Sequence, residues 1–483
     1  RTFREATAES LPFRSNFIYF VDQVLYAIED LPDDRRPLKF NLKWDEAEQS
    51  RVKVQYFLSQ LILQSCVEAA ANGIKPENLS FHFSHPEAYE EGQFRAFRRQ
   101  ARRSIEVGLN EENTNVLKKT TFRTESISSA LYFAEGQKVA FVSNIVTIDI
   151  GGGTSDLSIW QNLNLIWRNS FRLAGKDVLI DYLTNNLTLI KEISGNDELL
   201  LQSYGNLQKI RSNKSKLANG IELLVNSPQF GKTFSNKFFI VAGKEKGKEL
   251  KNLSELALSG ILFYVSQVIN HLVEKEKFKK DLDKTLKICL GGKASTLYKI
   301  VFEDVEAQES LSKMVEKATK GLFKSVSIEF TQIPKHEVSF GLLVTAEGAK
   351  DLNIKERSFE TVLGESVMAG KSKKDILSDL NPEKEWRLKD LTQVQNFIKS
   401  LQAYSKISVK LSQKFLDDLE GKINTSLRDA QIKALNIQKS QQSVEADASM
   451  VEIQKTTSII EPIFIQGIKE IIHEITSGKI KLK

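Results

Sequence analysis

The sequence predicts an α/β protein, and three observations carry that prediction. Short β-branched runs bounded by turn residues, Ile145-Val146-Thr147-Ile148 foremost, read as buried strands. Longer runs with apolar residues three and four apart read as amphipathic helices between them. Strands that alternate with helices in this way point to a largely parallel sheet. The chain has 483 residues, which at about 150 residues per domain is length for about three domains. Hydrophobic residues make up 41% and charged residues 27%, a globular balance that can build a core without disulfides or a structural metal.

Taken in order, Phe17 to Ile28 is apolar enough for a short buried element, and Pro32 and Pro37 bracket a turn. Lys39-Phe40-Asn41-Leu42-Lys43-Trp44 alternates polar and apolar residues, the pattern of a half-buried strand. After Asp45 a helix places Val54, Phe57, Leu58, Leu61, Ile62 and Cys66 on one face, and Gly73 and Pro76 end it. Leu79 to Phe83 reads as a strand stopped by Pro86, and Glu90 to Val107 as a second helix. Val139 to Trp160 holds a buried strand, a glycine cluster and a second strand. Residues 178–285 are helical in pattern, broken at Ser227-Pro228 and by a strand-like Phe238-Phe239-Ile240-Val241. Leu286 to Leu290 and Val326 to Phe330 read as further strands, and His336 to Gly348 as a small-residue helix. From Asp351 the composition shifts. A polar, broken stretch from Gly364 to Trp386 precedes helical spacing from Val394 to Leu427, a Gln/Ser/Ala-rich linker at Gln438 to Ser449 and an apolar helix at Ile459 to Ile475 with Pro462 in its first turn.

Charge and cysteine usage narrow the function classes. A net charge of +6 spread over 68 basic and 62 acidic side chains is too mild to argue for nucleic acid. Arg95, Arg98, Arg99, Arg102 and Arg103 read as a solvated or partner-facing helix surface. No apolar run of about 20 residues is found, so no membrane span is expected. Arg1 to Glu5 lacks the apolar stretch of a signal peptide. Cys66 and Cys289 stand far apart, outside any C-x-x-C pair, and are expected as reduced thiols in the cytoplasm. His82 and His85 have H-x-x-H spacing, but residues three apart on a strand point to opposite faces, so no metal site is expected there. The five histidines sit in unrelated contexts and build no Ser-His-Asp or Cys-His arrangement.

One motif dominates, Asp149-Ile150-Gly151-Gly152-Gly153-Thr154-Ser155-Asp156. A strand delivers a carboxylate to its end, glycines permit positive φ and keep Cβ atoms out of a phosphate's way, and successive N–H groups make an anion-binding nest. Asp149 can hold a hydrated Mg²⁺, which takes only one or two carboxylates and keeps several waters. The bland counterpart is a glycine-rich hairpin with solvated aspartates.

The segment resembles the second phosphate-binding motif of the superfamily that unites actin, the heat-shock ATPase chaperones, sugar kinases and bacterial actin-like filament proteins. Three further stretches are similar to that family's two connecting motifs and its adenosine motif, and a fourth to a further loop. Thr124-Glu125-Ser126-Ile127-Ser128-Ser129-Ala130-Leu131-Tyr132 looks like the first connecting motif, with Ser126 where the family often has Pro. Leu286 to Ser295, with Gly291-Gly292, is similar to the adenosine motif, and Glu337 to Ala346, with Gly341 at the close-packing position, to the second connecting helix. Leu173-Ala174-Gly175-Lys176-Asp177 is similar to the L-G-G-E-D loop near the ribose and phosphates, departing at Ala174 and Lys176.

The resemblance covers roughly residues 38–350. It implies a two-lobed actin-like (ribonuclease-H-like) ATPase fold, nearest the chaperone and bacterial actin-like branch, with residues 1–145 and 335–350 as one lobe, 146–334 as the other and 351–483 as a separate helical C-terminal module. The family's first phosphate motif, D-x-G-T/S, is not found, and with no initiator Met the native start is expected upstream of Arg1. By resemblance the ligands are ATP or ADP with Mg²⁺. Glu125 would orient the attacking water, Asp149 would hold Mg²⁺ through water, and Gly151, Gly152, Gly153, Thr154, Asp156, Gly175, Gly291 and Gly292 would line the nucleotide. The implied role is an ATP-hydrolysing switch whose lobes open and close. A filament former and a non-catalytic scaffold are the alternatives, and a protein partner or self-association is expected through 351–483.

Overall fold

The computed structural model describes residues 48–87, 89, 91–109, 114–280, 283–302, 305–345, 352–354, 361–368, 385–442 and 461–482. The expected element at Phe17 to Ile28, the strand at Lys39 to Trp44, most of the polar stretch after Gly364, the end of the His336 to Gly348 helix and linker residues 443–449 lie outside the described residues. The chain forms two compact units.

The first unit takes in residues up to His85, Glu91–Arg123 and Asn186–Val241. Helices Glu48–Ala71 and Glu91–Leu109 bury Ile62, Cys66 and Ile105 together with Val116. The five arginines stay on the exposed face of the second helix. His82 meets Thr121 through Nδ1 at 2.6 Å while the ring of His85 lies 4.4 Å from that of Phe94, so the two imidazoles do not converge. The strand expected at Phe238 to Val241 is instead the end of helix Pro228–Ala242. Ser227 caps that helix by accepting the Phe230 N–H (3.2 Å), and Pro228 supplies its first turn. A four-residue apolar run has no period of its own, so the helix already under way decides it.

The second unit holds Pro86–Glu90, Thr124–Asn185 and the chain from Ala242 onward. Its sheet uses β1 (Asn144–Ile150), β2 (Ser155–Gln161), β3 (Asn164–Phe171), β4 (Thr285–Gly291) and β5 (Ser325–Phe330), in the spatial order β3-β2-β1-β4-β5. Pairs β1–β2 and β2–β3 are antiparallel, whereas β1–β4 and β4–β5 are parallel. The sheet is therefore mixed, not largely parallel. Short turns join the first three strands and permit only antiparallel pairing; helices carry the chain to the last two. The turn into β3, which the sequence reading passed over, is Asn162-Leu163 with φ of 48° and 65°, the two-residue hairpin type whose twist suits the strands.

Helix α1 (Glu125–Leu131) lies on this sheet, and its Ile127, Ala130 and Leu131 share a core with Ile145, Trp160 and Cys289. Helix α2 (Glu245–Glu274) is long and apolar enough to cross a membrane by length and composition, which corrects the expectation that no run approaches that size. It is mostly buried within the unit, with residues 253–266 all buried, the place for a helix segment that is apolar on every face. Helices α3 (Ser295–Val301), α4 (Val305–Ala318) and α5 (Glu337–Leu343) follow β4 and β5.

The C-terminal helices α6 (Thr392–Tyr404), α7 (Gln413–Gln442) and α8 (Ile463–Thr476) do not form a separate module. Phe464 of α8 stacks on Phe263 and Tyr264 of α2 with ring centroids at 5.4 and 6.4 Å, and Phe397 of α6 joins them. A Cβ on Gly260 would come within 2.9 Å of Ile468. A segment buried on every side needs cover all round, and α6 and α8 supply part of it for α2, with α3 and α4. The lobe boundary expected at 145 also moves, since Thr124 to Asn144 and α5 belong to the sheet's own unit.

Candidate functional site

The site is assembled at the ends of β1, β2 and β4. β1 carries Asp149 to its last residues, and the hairpin returns so that Asp149 faces Asp156 and Ile150 faces Ser155 across the pair. Gly151 N–H donates to Thr154 O (2.8 Å) and closes the turn, and Thr154 Oγ1 donates to Asp156 Oδ2 (3.4 Å). In parallel register Asp149 lies beside Gly291 of β4. Gly292 follows with φ of 84°, and a Cβ there would overlap Asp149 Oδ1 and Ile150 O. The left-handed, sterically obligatory glycine of the site is thus Gly292. None of Gly151, Gly152 and Gly153 takes a left-handed φ, so the expected need for positive φ in the triple-glycine turn is not what the structure uses.

Each glycine here has its own reason. Gly175 packs against Ala294, whose Cβ a side chain would meet at 2.7 Å. Its N–H donates to Gly151 O (3.1 Å), and Lys176 N–H to Gly152 O (2.9 Å), so the Leu173–Asp177 turn pins the carbonyl side of the hairpin. Gly341 of α5 presses on the backbone of Ser128 in α1, where any Cβ would overlap Ser128 O. Gly152 and Gly153 differ. Both are exposed, and a Cβ on either would meet no atom within 4 Å.

Polar groups converge on the sheet face that carries Asp149. Asp149 is 9% exposed and Asp156 2%. Ser170, paired in register with Asp156, and Ser129, one turn beyond Glu125 on α1, are buried with no hydrogen-bond partner for their hydroxyls. Glu337, 1% exposed, accepts the Gly292 N–H at Oε1 (2.9 Å) and so ties α5 to the left-handed turn. Arg168 of β3 pairs with Glu87 (3.0 Å) and donates to Thr124 Oγ1 (3.2 Å), directly before Glu125. Burial pushes the Glu87 carboxyl up, with Arg168 opposing it. Burial and then the Glu125 charge push the Tyr89 phenol up. At the other edge, burial and the neighbouring Lys335 ammonium push Lys293 down to about 8. Lys335 itself sits at φ of 77°, a left-handed conformation unusual for lysine.

All ten site residues expected from the sequence fall in this one unit. Backbone bonds and strand register gather Asp149, Gly151, Gly152, Gly153, Thr154, Asp156, Gly175, Gly291 and Gly292. Glu125 stands half-buried at the start of α1, the helix whose Ser129 approaches Gly291. Sequence reading missed Glu337, the Glu87–Arg168 pair and the orphaned serines. Only Glu337 carried a signal, as the acid that opens a small-residue helix. Among the described residues no group of three or more His, Cys, Asp or Glu side chains could hold a metal. Asp149 and Asp156, facing each other across the strand pair, are the carboxylates that could hold a hydrated Mg²⁺. Cys289 lies in the core of this unit and Cys66 in that of the other, both free thiols. No family model matches the chain, and no curated protein matches it.

Proposed function

We propose that this protein binds and hydrolyses ATP with Mg²⁺ at the Asp149–Asp156 hairpin, as a switch protein of the actin-like, ribonuclease-H-like class. The observation that carries the reading is the pair Gly152 and Gly153. Neither backbone strain nor any neighbouring atom asks for glycine there, whereas a phosphate chain lying on the exposed N–H groups would. The orphaned hydroxyls of Ser129 and Ser170 leave buried polar atoms for a ligand or its water to satisfy. Lys293 and Lys335 place two mutually repelling ammonium groups at the same strand ends, an arrangement an anion relieves. The five-stranded sheet and the tight α1–α5 crossing at Gly341 are compatible with that fold class.

In this reading Asp149, with Asp156 beside it, holds the hydrated cation, which supplies charge neutralisation to the phosphate oxygens. The hairpin N–H groups orient the chain of phosphates, and Glu125 orients water, so the protein contributes positioning and electrostatics. Partners are proposed to act through the exposed faces of α6 to α8, since their apolar stripes are consumed within the unit. Calorimetric titration with ATP and ADP is the test. Binding should require Mg²⁺ and weaken in Asp149→Asn; an absence of heat at millimolar nucleotide would overturn the proposal.

A further inference from the structure

We propose that Lys469 of α8 is a positioning residue for the Gly151–Thr154 hairpin, acting through Asp177 and the turn that pins the hairpin. The inference rests on the reading above only in calling that hairpin the nucleotide loop. Lys469 Nζ lies 3.8 Å from Asp177 Oδ1 and 3.7 Å from Glu461 Oε1. Those two carboxylates hold the turn at both ends: Glu461 Oε1 accepts the Arg172 N–H and Asp177 Oδ2 the Ala174 N–H, each at 2.9 Å. The turn's other side faces the hairpin. Gly175 N–H and Lys176 N–H donate to Gly151 O and Gly152 O, and Ser155 Oγ donates to Leu173 O (2.6 Å). Six residues, 172–177, are thus clamped between α8 and the hairpin, with one ammonium group balancing the acids on the α8 side.

Lys469 is the cation paired with Asp177. Around Asp177 stand Glu461 and Lys469 from the α8 side, Asp181 and Lys176 from its own segment, and Tyr298 of α3. His473 faces Asp181. Burial pushes Asp177 up to about 6, and the Asp181 and Glu461 charges add to this, while Lys469 and the Ala174 N–H hold it down. Lys469 is the charged group that favours the Asp177 carboxylate. Removing the ammonium leaves Asp177 beside Asp181 and Glu461 without its ion-pair partner, which weakens its grip on the turn and loosens the two carbonyl contacts that seat the hairpin.

Amide hydrogen exchange on the full chain tests this without nucleotide, using Lys469→Met, Lys469→Arg and Asp177→Asn. In Lys469→Met, peptides covering 172–178 and 148–156 should both exchange roughly tenfold faster at pH 7.5, the effect of weakening one or two pinning bonds. Lys469→Arg should restore most of the protection. At pH 5 the Met-to-wild-type ratio should fall, because Asp177 is then largely protonated in both proteins and only the Glu461 contact still distinguishes them. Faster exchange confined to 172–178, or a ratio independent of pH, would overturn the proposal. A wild type that gains no protection from MgADP would count against the nucleotide reading alone and leave the exchange comparison to decide the role of Lys469.

Discussion

Replacing Gly152 with alanine separates what the fold needs from what a ligand needs. The backbone at 152 is not left-handed and an added Cβ meets nothing within 4 Å, so the folded state gains no strain. The unfolded chain loses freedom, which stabilises by about 0.4–1 kcal/mol and raises Tm by about 1–3 °C. Bound phosphate would lose its close approach to one or two N–H groups. At about 1.5–3 kcal/mol per charge-assisted bond, the MgADP affinity falls by roughly a hundredfold. Gly292→Ala is the internal contrast. Its Cβ would overlap Asp149 Oδ1 and Ile150 O at a φ of 84°, so overpacking and the left-handed penalty together cost about 2–5 kcal/mol. Thermal melts and calorimetry on the two variants read the pair. A Gly152→Ala protein that melts below wild type would refute the steric reasoning. One that melts normally and binds MgADP as well as wild type would refute the claim that the hairpin carries the ligand.

Phe464→Ala should destabilise the sheet-bearing unit by about 3–5 kcal/mol in denaturant melts, since the ring stacks on Phe263 and Tyr264 of the core helix; a loss under 1 kcal/mol would mean α8 is dispensable. Glu125→Gln should lower ATP turnover far more than MgATP affinity, because a water-orienting group acts chiefly in the transition state; equal losses in both would return Glu125 to a helix-capping role. Asp177, pushed up to about 6 in the folded protein from an ordinary 3.8, contributes stability that is full below pH 3.8 and lost as pH rises through about 6. Asp177→Asn should therefore flatten the fall in stability between pH 4 and 6 in urea titrations.

Much of the site was legible because its logic is local. Asp149 to Asp156 announces a strand, a turn and a returning strand within eight consecutive residues, and β-branched patterning settles the strands. The glycines were legible as a cluster but not in their individual reasons. Only backbone geometry shows that Gly292, not the triple glycine, is left-handed. Ser129 was illegible and Glu337 legible only as the acid that opens a helix, because their roles lie in partners more than 40 residues away, the strand end at Gly291 for one and Gly292 for the other. The Phe238 to Val241 run misled for a related reason: four apolar residues fit either period, and the Ser227 cap upstream decided in favour of helix.

By itself the sequence determined which segments become strands or helices wherever a period or a cap extends over several turns, and it determined the hairpin, because backbone sterics and alternation act between neighbours. The burial of α2 on every side was not read from the sequence, because charged residues from Glu245 to Lys251 and again at Glu255 interrupt the apolar run. What covers it, only the tertiary structure decided. Hydrophobic attraction is non-directional, so an apolar face specifies burial without naming a partner, and the choice of Phe397 and Phe464 fell to shape. The parallel pairing of β1 with β4 was decided at the same level, because β4 lies far along the chain from β1 and no short turn dictates their direction. So was the convergence of Asp177, Glu461 and Lys469, three charges from distant stretches whose interaction exists only once packing brings them within 4 Å.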